Sequence, residues 1–113
     1  MILDAKQEAD VLIVRVTEAR IDAAIAVQFK DAMRAESEAW NGKILLDLSA
    51  VDFLDSSGLG AVVGAMKQIG ENQTLELAGL TPTVEKVFHL TRMNSVFTIH
   101  SDVEAAMAVA KAS

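Results

Sequence analysis

The amino-acid sequence predicts an α/β fold, a five-stranded and mostly parallel mixed sheet with four helices in the order β-β-α-β-α-β-α-β-α. Three observations predict it. From the second strand onward, short β-branched or aliphatic runs alternate with longer segments whose apolar residues recur every three to four positions, the signature of parallel strands joined by helical crossovers. One run, Lys43-Ile44-Leu45-Leu46-Asp47-Leu48, is apolar on both faces, as a central strand must be. No repeat, linker or low-complexity stretch interrupts the pattern, so one domain is expected over residues 1–113.

Each element has a local reason. Val11-Leu12-Ile13-Val14-Arg15-Val16-Thr17 is β-branched and nearly continuous, hence a well-buried strand. Ile2 to Gln7 can pair with it across Glu8-Ala9-Asp10 as an antiparallel edge. Asp22 stands where a helix N-cap should stand, before the stripe of Ile25, Phe29, Ala32 and Met33, and Asn41-Gly42 marks the end of that helix. After the central strand, Ser57 to Ile69 reads as a second helix buried on Leu59, Val62, Val63, Met66 and Ile69, with Gly70 as a left-handed C-terminal cap. Thr74 to Ala78 is the fourth strand. Thr81-Pro82 opens a helix with Pro where its missing N–H costs nothing, running to about Met93. Val96 to Ile99 is the fifth strand, and Ser101-Asp102-Val103-Glu104 has the form of a capping box opening a last helix buried on Val103, Ala106, Met107 and Ala110.

Composition narrows the function. A chain of 113 residues supports a single core, burying roughly 65% of the surface its unfolded form exposes. Without Cys, a disulfide framework and a thiolate metal site are both excluded, and a reducing compartment is the natural setting. No apolar run approaches the roughly 18 residues of a membrane span, and the first residues show no basic-then-apolar secretory pattern. Sixteen acids against ten bases give a net charge of −6, the wrong sign for nucleic acid or anionic membranes. The expectation is a cytoplasmic domain with no nucleic-acid partner, no membrane insertion, no cofactor and no metal.

One segment says more than that the chain folds. Asp55, Ser56 and Ser57 offer three side chains able to cap a helix where one suffices, so they are either a redundant cap or a cap with a hydroxyl left over. Gly60 and Gly64 then fall inside the helix, each costing about 1 kcal/mol relative to Ala. With Ser57 and Lys67 they share one face, away from the apolar stripe. Either they pack beneath a neighbouring helix, or they leave a smooth face on which a partner's backbone can approach closely.

Asp55-Ser56-Ser57-Gly58-Leu59-Gly60, preceded by Leu46-Asp47-Leu48 and Phe53-Leu54, resembles the signature of the STAS family, specifically the bacterial anti-sigma factor antagonists. The resemblance covers about Val11 to Ala110 and implies a STAS-like fold. It implies a protein that binds a kinase-type anti-sigma factor when unphosphorylated and releases it once that anti-sigma factor serine kinase has phosphorylated Ser56, with a serine phosphatase resetting the switch. Transcription would be controlled indirectly. It also implies a docking surface that includes Asp22, Asp55, Ser56, Gly58, Leu59 and Gly60; the smooth helix face adds Ser57 and Gly64 to it, with Lys67 on that face as a rim contact to an acidic partner. The family's turn before the first helix usually reads Gly, acid, apolar, Asp; here it reads Ala19-Arg20-Ile21-Asp22, with Arg20 in the acid's place. The alternative implied by the same resemblance is a non-switching docking subunit of a transport or stress-signalling assembly.

Enzyme readings are weaker, and no catalytic residue is expected. A nucleophile elbow needs Gly two residues before its Ser, and Leu54 and Asp55 hold those positions for Ser56 and Ser57. His89 and His100 read as structural residues rather than bases. A dinucleotide fingerprint fails at its third glycine, which is Val63, although Glu76 imitates the ribose-binding acid.

Overall fold

The chain opens on an antiparallel hairpin, β1 (Leu3–Glu8) and β2 (Val11–Val16), in a computed structural model that describes residues 2–112. There follow β3 (Arg20–Ile21), α1 (Ala26–Ser37), β4 (Gly42–Asp47), β5 (Phe53–Leu54) and α2 (Ser56–Gln68). The chain continues through β6 (Gln73–Ala78), α3 (Pro82–Leu90), β7 (Ile99–His100) and α4 (Val103–Ala112). The main sheet has the order β1-β2-β4-β6-β7. Only β1 runs antiparallel to its neighbour.

Burial explains why these strands stack in this order. β4 lies at the centre, and Ile44, Leu45 and Leu46 are inaccessible to solvent on both of its faces. On one face Val14, Val16, Ile44, Leu46 and Leu77 meet Phe29 and Met33 of α1, Ala61, Val62 and Ala65 of α2, and Val84 and Phe88 of α3. On the other, Val11, Ile13, Leu45 and Ala78 meet Ala106 and Met107 of α4. Each large aliphatic or aromatic side chain so buried contributes roughly 1.5–3 kcal/mol. The expected α/β architecture, five strands in a mixed sheet with four helices, is what the structure has. Among the described residues no helix is long and apolar enough to cross a membrane.

Several element ends differ from expectation, each for a local reason. Asp22 does not cap α1 directly. It caps the turn before it, Oδ1 accepting from the Ala24 amide at 3.0 Å, and the helix begins four residues later. α1 stops at Ser37 rather than at Asn41-Gly42, its last turn tied by Ser37 Oγ donating to the Met33 carbonyl at 2.8 Å. The most buried line of α2 is Gly58, Ala61, Val62 and Ala65; Leu59, Val63, Met66 and Ile69 flank it, half-buried. Gly70 is not a left-handed cap: α2 ends on an extended Ile69, and the Gly70 amide donates to Gln73 Oε1 at 2.7 Å.

The later elements are shorter than expected. α3 ends at Leu90, with Thr91 exposed and Arg92 in a left-handed conformation at φ 62°. A 3-10 turn over Met93–Ser95 then folds Phe97 back against Phe88, ring centroids 5.8 Å apart. Only Ile99 and His100 are left to pair with β6. The cap of α4 is Asp102, accepting from the Ala105 amide at 2.7 Å, and not Ser101 in a capping box. The short parallel pair β3 and β5 was not expected at all, and it builds the site.

Candidate functional site

Two loops leave the C-terminal ends of neighbouring parallel strands, one from β2 toward α1 and one from β4 toward α2. Open α/β sheets commonly bind their ligands at that end. Here the loops are zipped together. Arg20 pairs with Phe53 and Ile21 with Leu54, and the Asp52 amide donates to the Ala19 carbonyl at 2.7 Å. Ile21 and Leu54 are buried beneath the zipper. The upper surface carries Arg20, whose guanidinium lies 4.0 Å from the centre of the Phe53 ring and 3.4 Å from Asp22 Oδ2. An exposed ion pair of this kind contributes less than about 1 kcal/mol. Its effect is to hold the cation over the Phe53 ring, across the join between the loops.

Asp55 links the loops to the helix. Its Oδ1 accepts from the Gly58 amide at 2.8 Å, capping α2, while its Oδ2 accepts from the Ala23 amide of the other loop at 3.3 Å. Both carboxylate oxygens are thus engaged in structure. Because Asp55 is the cap, neither serine has to be. Ser56 and Ser57 occupy the first turn of α2, exposed, and among the described residues neither hydroxyl makes a hydrogen bond. Their own amides also lack acceptors among the described residues, as the first amides of a helix do. Of the two possibilities for this loop, the structure has one cap and two spare hydroxyls.

The glycines divide into three environments. Gly58 is buried, and a Cβ there would sit 1.9 Å from the Ile21 carbonyl oxygen, so only Gly lets α2 rest on β3. Expected in a docking surface, Gly58 is an internal contact and can serve docking only by fixing where α2 lies. Gly60 is exposed with nothing within 4 Å of a Cβ. Gly64 lies beneath the Lys30 side chain of α1, whose Cε would be 3.2 Å from a Cβ. The outward face of α2 is therefore bare at Gly60 and roofed at Gly64, with Ser57 and Lys67 exposed along the same line. Leu59 is half-buried against the core.

A direct consequence can be measured. Gly60→Ala replaces a poor helix residue in an open position, and the domain should gain roughly 0.5–1 kcal/mol. Its melting temperature should rise by a few degrees; a fall would show that Gly60 touches something within the fold.

Other candidate chemistry lies apart from this surface. Among the described residues, neither His89 nor His100 is hydrogen-bonded to Ser56 or Ser57. His89 Nδ1 faces Asn94 Nδ2 at 3.3 Å, and His100 Nε2 lies 2.7 Å from Glu76 Oε1, which also holds Lys43 Nζ at 3.4 Å. The acid that imitated a ribose ligand is thus engaged inside the sheet. No group of three or more His, Cys, Asp or Glu gathers among the described residues to hold a metal. The residues that sequence reasoning missed are Arg20 and Phe53 as a stacked pair, Lys30 over Gly64, and Ala23 as the second partner of Asp55. All three contacts join segments distant in sequence.

Comparison with known proteins agrees with this arrangement. The STAS domain model matches residues 3–106. The chain is 33% identical over 88 residues to the anti-sigma-B factor antagonist of Listeria monocytogenes, covering 77% of this chain and 76% of that protein. It is 29% identical over 103 residues to BtrV of Bordetella bronchiseptica, named as a proposed anti-sigma factor antagonist, covering 90% and 89%. The crystal structure of an anti-sigma factor antagonist from Mycobacterium paratuberculosis superposes with a TM-score of 0.84 at 23% identity, covering 95% of this chain and 91% of that one. With its mixed five-stranded sheet and four helices, this chain belongs to the STAS domain family.

Proposed function

We propose that this protein is an anti-sigma factor antagonist whose binding is switched by phosphorylation of Ser56. Unphosphorylated, it captures a kinase-type anti-sigma factor and frees the sigma factor that kinase held. The kinase transfers the γ-phosphoryl group of ATP to Ser56 Oγ, which gives up its proton, and the complex parts. A serine phosphatase restores the hydroxyl. The chain is substrate and binding module, with no turnover of its own.

The observation that carries this reading is the free, exposed Ser56 hydroxyl at the first position of α2, beside a cap that Asp55 already supplies. The naming of the Listeria relative supports it. A phosphoserine carries about −1.5 to −2 charges, and the free amides and dipole of a helix N-terminus favour an anion. The fold therefore tolerates the phosphate. A partner seated over Ser56, Asp55 and Asp52 would not, since it must desolvate that charge.

The test is reconstitution with the kinase-type anti-sigma factor encoded in the same genome. With ADP the two should co-elute on size exclusion. With ATP they should separate, with one phosphate located on Ser56 by tandem mass spectrometry, and Ser56→Ala should remain bound. Separation that persists in Ser56→Ala, or phosphate on another residue, overturns the proposal.

A further inference from the structure

The ten cations of this acidic chain are unevenly used. Lys6, Arg20, Lys43 and Lys111 each pair with a carboxylate. Lys30, Arg34 and Lys67 make no ion pair among the described residues, and they fall on two neighbouring helices, α1 and α2. Lys30 of α1 covers Gly64 of α2. One turn further along each helix, Arg34 and Gln68 line the same depression. The two helices therefore run side by side in one direction, and Lys67, three residues after Gly64, is exposed on the outward face of α2 at this level. One turn the other way, Val27 is 70% exposed on α1 and Gly60 is open on α2. From its Ser56 end the groove between the helices thus presents an apolar side chain beside bare backbone, then Lys30 and Arg34, with Lys67 on the outward face of α2, none of them ion-paired among the described residues. Glu38 and Glu71 line its far end and bound the stripe.

We infer that this groove docks an acidic segment of the protein partner, its carboxylates meeting Lys30, Arg34 and Lys67 while an apolar side chain covers Val27. The inference rests on the reading of the Ser56 surface as a docking site. It supplies what that reading lacks, which is the chemistry of the docked segment. A chain of net charge −6 repels acidic proteins at long range, so a local cationic track is what would orient one. Such complementarity acts on association rate and register more than on final affinity. Ser56 stands at the mouth of the groove, about two helical turns or ~12 Å from Gly64. A phosphate there places negative charge at the entrance used by a negatively charged segment, so the track and the switch oppose each other.

The first test needs no cognate partner. Isotope-labelled protein is titrated at low ionic strength with a helical peptide bearing Glu at successive turns, and with the same peptide carrying Gln. The Glu peptide should shift the amide signals of Gly60, Gly64 and Lys67, the Gln peptide should not, and Lys30→Gln/Arg34→Gln/Lys67→Gln should abolish the effect. Absence of shifts, shifts of equal size around Lys86 and Arg92, which make no ion pair among the described residues and lie outside the groove, or shifts surviving in the triple variant overturn the inference. The second test uses the anti-sigma kinase. It should bind the triple variant about ten-fold more weakly, associate more slowly and show a shallower salt dependence. Wild-type affinity for the triple variant overturns the groove and leaves the switch to be judged on Ser56→Glu. Indifference to Ser56→Glu with loss of the triple variant sinks the switch and keeps the groove.

Discussion

Ser56→Glu should lower affinity for the anti-sigma kinase by about a hundred-fold or more, and true phosphorylation by up to several-thousand-fold, while Ser56→Ala binds as the wild type does. The magnitude follows from the geometry. Ser56 is exposed in the free protein, so charge placed there costs the free domain little. In the proposed complex, the same charge would leave water beside Asp55 and Asp52. An uncompensated buried charge costs roughly 3–5 kcal/mol, and every ~1.4 kcal/mol is a factor of ten. Glu carries one charge to the phosphate's two, which puts it at the low end. Calorimetry of wild type, Ser56→Ala and Ser56→Glu against the same kinase checks this. Equal affinities across the three would remove the electrostatic basis of the switch. Thermal melts should meanwhile stay within a degree or two of one another, because the helix N-terminus accepts the added charge.

Gly58→Ala should be the most damaging single-methyl change on this surface. A Cβ at Gly58 would sit 1.9 Å from the Ile21 carbonyl oxygen and 2.8 Å from its carbonyl carbon, and these are backbone atoms of a buried strand that cannot swing aside. Either the first turn of α2 lifts or β3 leaves β5. Lifting the turn breaks the Asp55 bridge to the Ala23 amide, and parting the strands opens the join over Ile21 and Leu54. Overpacking of this kind costs on the order of 3 kcal/mol even after the helix gains from losing a glycine. The melting temperature should fall by about 10 °C, and docking should weaken with it because Ser56 moves with the turn. Gly60→Ala is the internal control, two residues away on the same helix with the opposite expected sign. A Gly58→Ala melting temperature equal to wild type would mean that α2 does not rest on Ile21.

Much of this protein was legible in its sequence, because much of it depends on neighbours along the chain. The alternation of strands and helices follows from apolar periodicity. Lys43 to Leu48 announces a central strand by being apolar on both faces, and it lies at the middle of the sheet. The Asp-Ser-Ser sequence marks a helix start, because capping is an interaction over three residues. Its resemblance to the STAS signature identifies the family from residues adjacent in the chain. Local punctuation proved less dependable. Gly70 and Ser101 carry the right residue types for caps, yet the Gly70 amide turns to Gln73 and Asp102 takes the capping place at α4.

Only the tertiary structure decided how the loops and glycines are used. β3 and β5 are two residues each, too short to carry a periodic signal, and they exist because each supplies the other's hydrogen bonds. Gly58, Gly60 and Gly64 are the same residue in one helix, yet Ile21 crowds the first, water meets the second and Lys30 covers the third. Those neighbours come from more than thirty residues away in sequence. The physical reason is range: capping and periodicity act within a turn or two of chain, whereas the space available to a side chain is set by whichever distant segment packs against it.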